Sequence, residues 1–349
     1  IYTLSLHDAL PIYYRTEENM ALAAETIKNG GLVAFPTETV YGLGANALDE
    51  DAVRAVYAAK ERPSDNPMIV HIARASDIGQ MTRFLNPMIV NLIDNFWPGP
   101  LTLILNKKEG IPRTVTGGLE TVAVRLPDNE IARNLINLSG CPIAAPSANL
   151  SGRPSPTAYQ HVVSDLNGKV DIILKGENCR VGIESTVLDM TSDEPVVLRP
   201  GIITPEQIEA AIGKKVSIDP AIKFDFKKIE AIKNGTAEET IVAKAPGMKY
   251  KHYAPKAQMF VVEGERNRVR QEIERLKTLN EKMGSDVGVI LFEEKAFIEA
   301  AHDFFASLRE LDGRDVDLIL AGALSDTDSV GFAVMNRMLK SAGYNIIRV

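Results

Sequence analysis

The sequence predicts an α/β protein with two domains joined by a long linker. Before residue 205, short apolar runs and segments of helical spacing follow one another irregularly, which is typical of a mixed α/β domain. From Pro205 to Pro255 the chain is rich in Lys, poor in aromatic residues and without a clear period beyond one short helix. After it, strands and helices alternate, which predicts a small parallel sheet. We therefore expect a first domain over 15–205, a linker over 206–255 and a Rossmann-like domain over 256–349.

Residues 1–14 are expected to be a leader that does not belong to the native fold. The chain does not begin with Met, and the string from Leu4 to Ile12 fits poorly with the residues after it. This string also lacks the basic region and the small-residue cleavage pattern of a signal peptide. The alternative is a strand that docks at the N-terminus.

The helices of the first domain are predicted from apolar spacing and from the residues at their ends. Glu18 to Asn29 has helical spacing and runs into Gly30-Gly31, a good helix C-cap. A second helix is predicted over Glu50 to Lys60. A third is expected to begin with Asn86 as N-cap and Pro87 as first residue.

Short apolar runs in the first domain predict buried strands. These runs are Leu32–Phe35, Ile69–Ile72, Leu101–Leu105, Val122–Arg125, Ile143–Pro146, Val170–Leu174 and Thr186–Asp189. The segment Thr37–Gly44, with two glycines and two threonine hydroxyls, is expected to be a loop.

The second domain is predicted as alternating strands and helices. In order they are a strand at Met259–Val262, a helix at Asn267–Lys282, a strand at Val287–Phe292, a helix, a strand at Leu318–Leu320, a helix at Ser329–Ala342 and a strand at Asn345–Val349. The dinucleotide fingerprint GxGxxG does not follow any predicted strand. We therefore expect this domain to regulate or to support a lid rather than to bind a cofactor.

Composition limits the classes of function. A net charge of −7 and a pI near 5.4 argue against broad coating of nucleic acid, although a local basic groove is compatible with them. No apolar run approaches the roughly 18 residues that span a bilayer. Cys141 and Cys179 have no metal-ligand spacing, so we expect no metal site and a reduced, cytoplasmic chain.

The octapeptide from Lys60 to Pro67 is the sharpest candidate for ligand binding. Lys60 and Arg62 lie two positions apart, and a proline and a short polar turn stop the helix before Asn66. Two cations on a stiff loop between a helix and a buried strand suit a polyphosphate. The alternative is a solvated helix end, where cations favour the helix dipole.

Further candidates lie at strand ends. Ser147 and Asn149 follow one strand, where a hydroxyl and an amide suit phosphate or ribose, or form a local turn. His71 is either a core histidine or a partner for a substrate hydroxyl or carboxylate. Arg125 is either a clamp for a small carboxylate or part of an internal salt bridge.

The segment Gly182–Thr186 adds two hydroxyls and a carboxylate at the start of a strand, and Arg199 adds a cation at a turn. No Ser or Cys has an evident His partner in the sequence, so a covalent nucleophile is not indicated.

Six ordered segments together resemble the YrdC/Sua5 family, the threonylcarbamoyl-AMP synthase family. They are Pro36–Gly44, Lys60–Pro67, Phe96–Thr102, Ser147–Asn149, Gly182–Val187 and Lys249–Pro255. The resemblance extends from about residue 18 to the C-terminus, and the two-domain layout is similar to the longer Sua5 type. It implies an open, twisted YrdC-like α/β domain with a concave basic face, followed by a long linker and a smaller Rossmann-like Sua5 domain.

The resemblance also implies a reaction. L-threonine, bicarbonate or CO2, and ATP would give threonylcarbamoyl-AMP and pyrophosphate, with Mg2+ accompanying ATP, which is nucleotidyltransferase chemistry. The product would serve N6-threonylcarbamoylation of adenosine 37 in tRNAs that read ANN codons, through a separate downstream transferase complex. Contact with tRNA would be indirect, and no membrane would be involved.

The family's site residues carry over to matching positions in this chain. Threonine is expected to contact Thr39, His71, Arg125, the main chain at Ala145, and Ser185. ATP is expected to contact Arg62, Asn66, Thr121, Ser147, Ser155, Arg199 and Tyr253. Lys60 and Arg62 are the implied catalytic pair near the phosphates, and Tyr253 is expected to close over the nucleotide as part of a lid.

Two other functions remain open at this point. An RNA-binding module could use the concave basic face, although the acidic pI argues against it. A carbamoyl-transfer domain of hydrogenase-maturation type would require zinc-binding segments, which two cysteines cannot supply.

Overall fold

Two sheets organise the chain, one of eleven strands and one of four. The computed structural model describes residues 12–222, 252–324 and 330–349. The predicted α/β class is confirmed, with a large mixed sheet in the first part of the chain and an all-parallel sheet in the second.

The large sheet combines parallel and antiparallel neighbours. Its strands are β1 (Ile12–Tyr14), β2 (Val33–Phe35), β3 (Gly42–Asn46), β4 (Ile69–His71), β5 (Leu101–Asn106), β6 (Thr121–Arg125), β7 (Ile143–Ala144), β8 (Ile172–Lys175), β9 (Thr186–Asp189), β10 (Val196–Arg199) and β11 (Ser217–Ile218). Across the sheet the order is β1-β8-β2-β3-β7-β4-β6-β5-β9-β10-β11. β4 and β6 are parallel neighbours, and His71 lies opposite Arg125. Each of the two residues is the last of its strand, so both lie at the carboxyl ends of the strands, on the same face of the sheet.

Helices pack against this sheet. They are α1 (Glu17–Lys28), α2 (Glu50–Lys60), α3 (Pro87–Phe96), α4 (Arg113–Thr116), α5 (Glu130–Ser139), α6 (Tyr159–Leu166) and α7 (Pro205–Ile212). The predicted start of α3 is confirmed: the Asn86 side chain accepts a hydrogen bond from the Ile89 amide at 2.9 Å, and Pro87 is the first helical residue. At the end of α2, Glu61 takes a left-handed conformation with φ of 53°, which turns the chain toward Arg62.

The segment predicted as a loop contains strand β3. Residues 42–44 belong to it, so the prediction of a loop over the whole of 37–44 was wrong. A Cβ at Gly44 would lie 2.7 Å from side-chain atoms of both Phe35 and Ile143. The glycine therefore permits close packing between strands, and it does not mark a turn. Helices α5 and α6 and strands β10 and β11 were not predicted.

The second sheet follows the predicted alternation. Its strands are β12 (Gln258–Glu263), β13 (Val287–Ile290), β14 (Leu318–Gly322) and β15 (Ile346–Arg348), in the order β13-β14-β12-β15. The intervening helices are α8 (Arg266–Lys282), α9 (Phe297–Gly313) and α10 (Val330–Ser341). All neighbouring strands are parallel, as expected for strands joined by helical crossovers.

An apolar cluster joins the two parts. Val40, Val181 and Ile183 of the first part pack with Phe304 and Phe305 of α9. The approach is close at Gly182, where φ is +82° and a Cβ would lie 2.3 Å from the His302 carbonyl oxygen. Only glycine fits there, so the first part is shaped to receive the second.

Several segments bear on the expected boundaries. Residues 12–14, placed in the expected leader, form β1 and pair in parallel with β8, and residues 1–11 lie outside the described residues. At the start of the predicted linker lie α7 and β11, and β11 extends the large sheet by pairing with β10. Residues 223–251, most of the predicted linker, lie outside the described residues. None of the described helices has the length and apolar character needed to cross a bilayer.

Candidate active site

A cavity opens where the ends of several strands of the large sheet meet the start of the second part. The space between its walls, including the solvent-open mouth, is about 740 Å³. Its walls come from the loop before β3 and the start of β3, the end of α2, the strands β4 and β6, the segment 145–155, and the residues Glu184, Ser185 and Arg199. His252 and Tyr253 close one side.

Lys60 and Arg62 project into the cavity from the end of α2. The Lys60 ammonium donates to the backbone carbonyls of Ser147 and Asn149, the latter at 2.5 Å. Arg62 donates to the carbonyls of Asn66 and Pro67 at 3.2 and 3.1 Å. In the described part of the chain, no carboxylate forms an ion pair with either cation.

Burial disfavours the charged form of both groups, and the carboxylates of Asp165 near Lys60 and Asp65 near Arg62 oppose this only in part. Burial lowers the pKa of Lys60 well below its usual value, and the nearby Arg62 lowers it further. Burial also lowers the pKa of Arg62. The Arg62 Nε is buried and has no hydrogen-bond partner among the described residues. This end of the cavity therefore holds two buried basic side chains whose charged forms an anionic ligand would stabilise.

Each of the three guanidinium nitrogens of Arg125 has a polar neighbour. Its Nε donates to the Gly99 carbonyl at 3.2 Å and its Nη1 to the Thr39 hydroxyl at 2.9 Å. Its Nη2 lies 2.6 Å from Glu38 Oε2, a buried ion pair that is not aligned as a hydrogen bond. The internal ion pair that was one alternative for Arg125 is therefore present, and the residue also lines the cavity, so its role as a carboxylate clamp stays a prediction. The guanidinium is fixed in orientation, as a carboxylate clamp requires.

His71 lies beside Arg125 and is neutral at physiological pH. Burial lowers the pKa of His71 to about 3, and the positive charge of Arg125 adds to the effect. Its ring meets Phe35 edge-on, with centroids 6.2 Å apart. Nδ1 is buried without a hydrogen-bond partner among the described residues. A buried, unpartnered ring nitrogen in a cavity wall suits a polar group of a ligand.

Ser185 and Arg199 form the neighbouring wall. The hydroxyls of Ser185 and Thr102 lie 2.7 Å apart. Arg199 donates to the Ser185 hydroxyl and to the Ser185 carbonyl, both at 3.0 Å. Burial lowers the pKa of Arg199 to about 10, and the carboxylate of Glu184 partly opposes this. The guanidinium therefore remains charged at neutral pH.

Glu184 and Tyr253 complete this side. The Glu184 carboxylate accepts a hydrogen bond from the Ser155 hydroxyl at 2.5 Å and one from Arg337 of α10 at 3.1 Å. Tyr253 has a left-handed backbone with φ of 66° and packs on Phe305, with ring centroids 5.1 Å apart. Burial raises the pKa of Tyr253 to about 12, so its hydroxyl stays protonated.

The structure brings together all but two of the residues that the sequence predicted for the site. Lining the cavity are Thr39, Lys60, Arg62, His71, Arg125, Ala145, Ser147, Ser155, Ser185, Arg199 and Tyr253. Asn66 and Thr121 are not in its wall. Asn66 acts through its carbonyl, which accepts hydrogen bonds from Arg62 and Tyr57. Thr121 begins β6, at the opposite end of that strand from Arg125.

Other residues at the site were not predicted as ligand contacts. Thr37 and Arg153 line the cavity, and Glu38 lies directly behind Arg125. Asn149 and Glu184, which were candidates from the sequence, line it as well. Glu38 and Thr37 fall inside a segment that the sequence had singled out, so a closer look at its polar residues could have found them. Arg337 lies in a helix that is part of the family resemblance, but its contact with Glu184 was not predicted, since the two residues lie 153 positions apart.

Taken together, the cavity suits an anionic ligand. Among the described residues in its wall, Lys60, Arg62, Arg125, Arg153 and Arg199 carry positive charge and Glu184 is the one carboxylate. No group of three His, Cys, Asp or Glu side chains in the described ranges could hold a metal ion by itself. Fixed cations and oriented donors in a recessed site act by positioning and by stabilising charge.

Family models match both parts of the chain. The Sua5/YciO/YrdC model, described as "Telomere recombination", matches residues 25–201. The model described as "Threonylcarbamoyl-AMP synthase, C-terminal domain" matches residues 203–343.

Similar proteins cover nearly the whole chain. The threonylcarbamoyl-AMP synthase of Pyrococcus abyssi is 48% identical over 346 residues, 96% of this chain and 97% of the relative. That of Bacillus subtilis is 44% identical over 349 residues, 95% of each chain. A crystal structure of P. abyssi Sua5 complexed with L-threonine is similar with a TM-score of 0.87 at 46% identity, covering 97% of this chain and 98% of that one.

Proposed function

The chain belongs to the Sua5/YrdC family of threonylcarbamoyl-AMP synthases, and we propose on that premise that it makes threonylcarbamoyl-AMP from L-threonine, bicarbonate or CO2, and ATP, with release of pyrophosphate. The observation that carries the proposal is the cavity itself. One recessed space contains a fixed guanidinium suited to a small carboxylate and two buried basic side chains, without an ion pair among the described residues, suited to a polyphosphate.

Threonine is assigned to the side that holds Arg125. The guanidinium would bind the amino-acid carboxylate, since its orientation is already fixed by Thr39 and Gly99. The neutral His71 ring and the Ser185 hydroxyl offer polar groups for the threonine hydroxyl and amine. The crystal structure of the P. abyssi relative in complex with L-threonine supports threonine as a ligand.

ATP is assigned to the side that holds Lys60 and Arg62. The triphosphate would supply the negative charge that these buried cations lack. Lys60, whose ammonium donates to the Ser147 carbonyl, and Arg125 line the same cavity, so the α-phosphate would face the carbamate. Tyr253, packed on the second part of the chain, would cover the nucleotide.

The chemistry needs enclosure and positioning. The neutral amine of threonine attacks CO2 and loses a proton, which gives a carbamate. A carbamate oxygen then attacks the α-phosphorus of ATP, and the bond to pyrophosphate breaks. Carbamates decompose in water, so a recessed cavity protects the intermediate. Fixed cations stabilise the charge that develops on the phosphate oxygens, and no covalent enzyme intermediate is required.

Mg2+ enters as part of the substrate. It binds mainly to phosphate oxygens and water in nucleotide sites, and it neutralises phosphate charge there. We further propose that the product passes to a separate transferase complex for N6-threonylcarbamoylation of tRNA, in the cytoplasm and without direct binding of tRNA by this chain.

One assay tests the proposal. Pyrophosphate release from Mg2+-ATP is measured with both threonine and bicarbonate present, with each omitted in turn, and without RNA. We expect release only when both are present, with threonylcarbamoyl-AMP identified by mass spectrometry. Release that does not depend on threonine, or that requires RNA, would overturn the proposal.

A further inference from the structure

Arg337 crosses from the second part of the chain to the wall of the cavity. It lies in α10 and is fully buried, with 0% of its surface exposed. Its Nε donates to the Glu184 carboxylate at 3.1 Å, and its Nη2 lies 3.4 Å from the Glu184 carbonyl. Its Nη1 donates to the carbonyls of Pro200 and Ala333. One side chain thus binds two separate segments of the first part.

Both of these segments carry cavity residues. Glu184 precedes Ser185, and Pro200 follows Arg199, while Ser185 and Arg199 contact each other at 3.0 Å. The contacts of Arg337 therefore set the spacing between two walls. A shift of about 1 Å in such a wall is enough to reduce catalysis on the order of 100-fold.

Glu184 connects Arg337 to Ser155, because its carboxylate accepts hydrogen bonds from both side chains. Burial alone would raise the pKa of Glu184, but the guanidinium groups of Arg337 and Arg199 lower it, so the side chain stays a carboxylate. An ionised carboxylate only accepts hydrogen bonds. The Ser155 hydroxyl must therefore donate its proton to Glu184, at 2.5 Å, and it presents lone pairs to the cavity.

Docking of the second part does not need this charge. An apolar cluster that includes Val181, Ile183, Phe304 and Phe305 already joins the two parts. Burial of an ion pair in such a contact gives little net stability, whereas loss of one partner leaves the other charge unpaired. The pair is thus better explained by what it positions than by what it stabilises.

We propose that Arg337 is a positioning residue that the second domain supplies to the active site, fixing Glu184 so that Ser155 accepts a hydrogen bond from a hydroxyl of the nucleotide ribose. This inference rests on the proposed function for the identity of the ligand. It gives the second domain a direct task in nucleotide binding, with no need for a cofactor site of its own.

Two variants on the same helix separate positioning from stability. Arg337→Met removes the charge and keeps an apolar chain, and Met338→Ala leaves a buried void next to it. Both are expected to lower the thermal midpoint. We expect Arg337→Met to reduce kcat/KM for ATP about 10- to 100-fold, with Arg337→Lys in between, and Met338→Ala to change it less than about threefold. Equal losses in Arg337→Met and Met338→Ala would overturn the proposal.

The role of Ser155 is tested with altered nucleotides. If Ser155 accepts a hydrogen bond from a ribose hydroxyl, then Ser155→Ala and Glu184→Gln should lower the affinity for ATP. The same variants should hardly change the affinity for whichever analogue, 2′-deoxy or 3′-deoxy, lacks that hydroxyl. Equal effects on ATP and on both analogues would contradict it. Gln is close in size to Glu, so Glu184→Gln can replace Arg337→Met in these tests if Arg337→Met does not fold.

Direct binding keeps this test separate from the proposed function. Affinity for Mg2+-ATP is measured by calorimetry in the wild type and in each variant, without threonine. A wild type that binds ATP but releases no pyrophosphate would refute the synthase activity and would leave the Arg337 proposal open to the binding comparison. Unchanged affinity and unchanged kcat/KM in Arg337→Met would refute the Arg337 proposal alone.

Discussion

The two ends of the cavity hold their cations in opposite ways. At the α2 end, the hydrogen bonds that Lys60 and Arg62 donate within the described ranges go to backbone carbonyls. At the strand end, which comprises Thr39, His71, Arg125, Ser185 and Arg199, the guanidinium groups are paired with carboxylates or held by hydroxyls. Arg125 has Glu38 and Thr39, and Arg199 has Ser185.

This difference matches two kinds of ligand. Buried cations without countercharge are costly, so the α2 end gains most from a ligand with several negative charges. The strand end is already close to electrical balance, and its groups are fixed by one another. Such an end gains less from charge and more from shape and hydrogen bonding, which suits discrimination of one small amino acid.

The largest expected effect is at the α2 end. Arg62→Ala or Lys60→Ala should reduce kcat/KM for ATP on the order of 10³-fold, because transition-state charge on the phosphates would lose a fixed cation. Steady-state pyrophosphate release measures it. Arg54→Ala is the matched control, since Arg54 is an exposed arginine of the same helix that pairs with Glu50 and Asp51. Near-normal turnover in the Arg62 or Lys60 variant would mean that this end does not bind the triphosphate.

A smaller effect is expected at the strand end. Arg125→Ala should raise the KM for threonine about 100-fold, corresponding to about 2.7 kcal/mol, and should change the KM for ATP much less. The two KM values are measured in one assay by varying each substrate in turn. A parallel rise in both values would show that the two ends do not bind separate ligands. Arg113→Ala, an exposed arginine paired with Glu120, provides the control.

A substitution at Glu38 tests whether the charge of Arg125 at the strand end is balanced by this carboxylate. Glu38→Gln keeps the shape but removes the charge that faces Arg125 at 2.6 Å. The protein should lose about 1–3 kcal/mol of stability, because Arg125 becomes a buried cation without a countercharge. Threonine should then bind several-fold more tightly, since its carboxylate replaces the missing charge, and it should raise the thermal midpoint more than in the wild type. Weaker threonine binding would instead show that Glu38 mainly orients Arg125.

The sequence predicted local features better than contacts between distant segments. The start of α3 followed from Asn86 and Pro87, because a helix cap is decided by neighbouring residues. Strand β3 was taken for a loop, since Gly44 looks like a turn residue until Phe35 and Ile143 are known to pack against it. Helix α5 was overlooked despite Asn129, which caps it through the Ala132 amide at 3.1 Å.

At the site, too, local features were easier to predict than contacts between distant segments. Most of its residues were identified from family resemblance, and the structure brings them into one cavity. Thr121 lies elsewhere, because the direction of β6 carries Arg125 to the cavity and Thr121 away from it. The contact of Arg337 with Glu184 depends on how the two parts dock. No pattern of local spacing encodes that docking.

The smallest expected effect concerns the neutral histidine of the strand end. The pKa of His71 is about 3 in the folded chain, against about 6.5 when unfolded. Because its folded pKa is depressed, the unfolded state binds a proton that the native state does not below pH 6.5. Stability should therefore fall by about 1.4 kcal/mol per pH unit from this group as pH drops from about 6.5 toward 3, with no effect above pH 6.5.

His71→Asn removes that contribution. Between about pH 7 and pH 5 the wild type should lose about 2 kcal/mol more than the variant, as measured by urea unfolding at each pH. His161, whose pKa burial also lowers to about 4, is present in both proteins and cancels in the comparison. Equal slopes would mean that His71 accepts a proton inside the folded cavity. The strand end would then carry an additional positive charge beside Arg125, and its electrical balance, on which the contrast with the α2 end depends, would not hold at low pH.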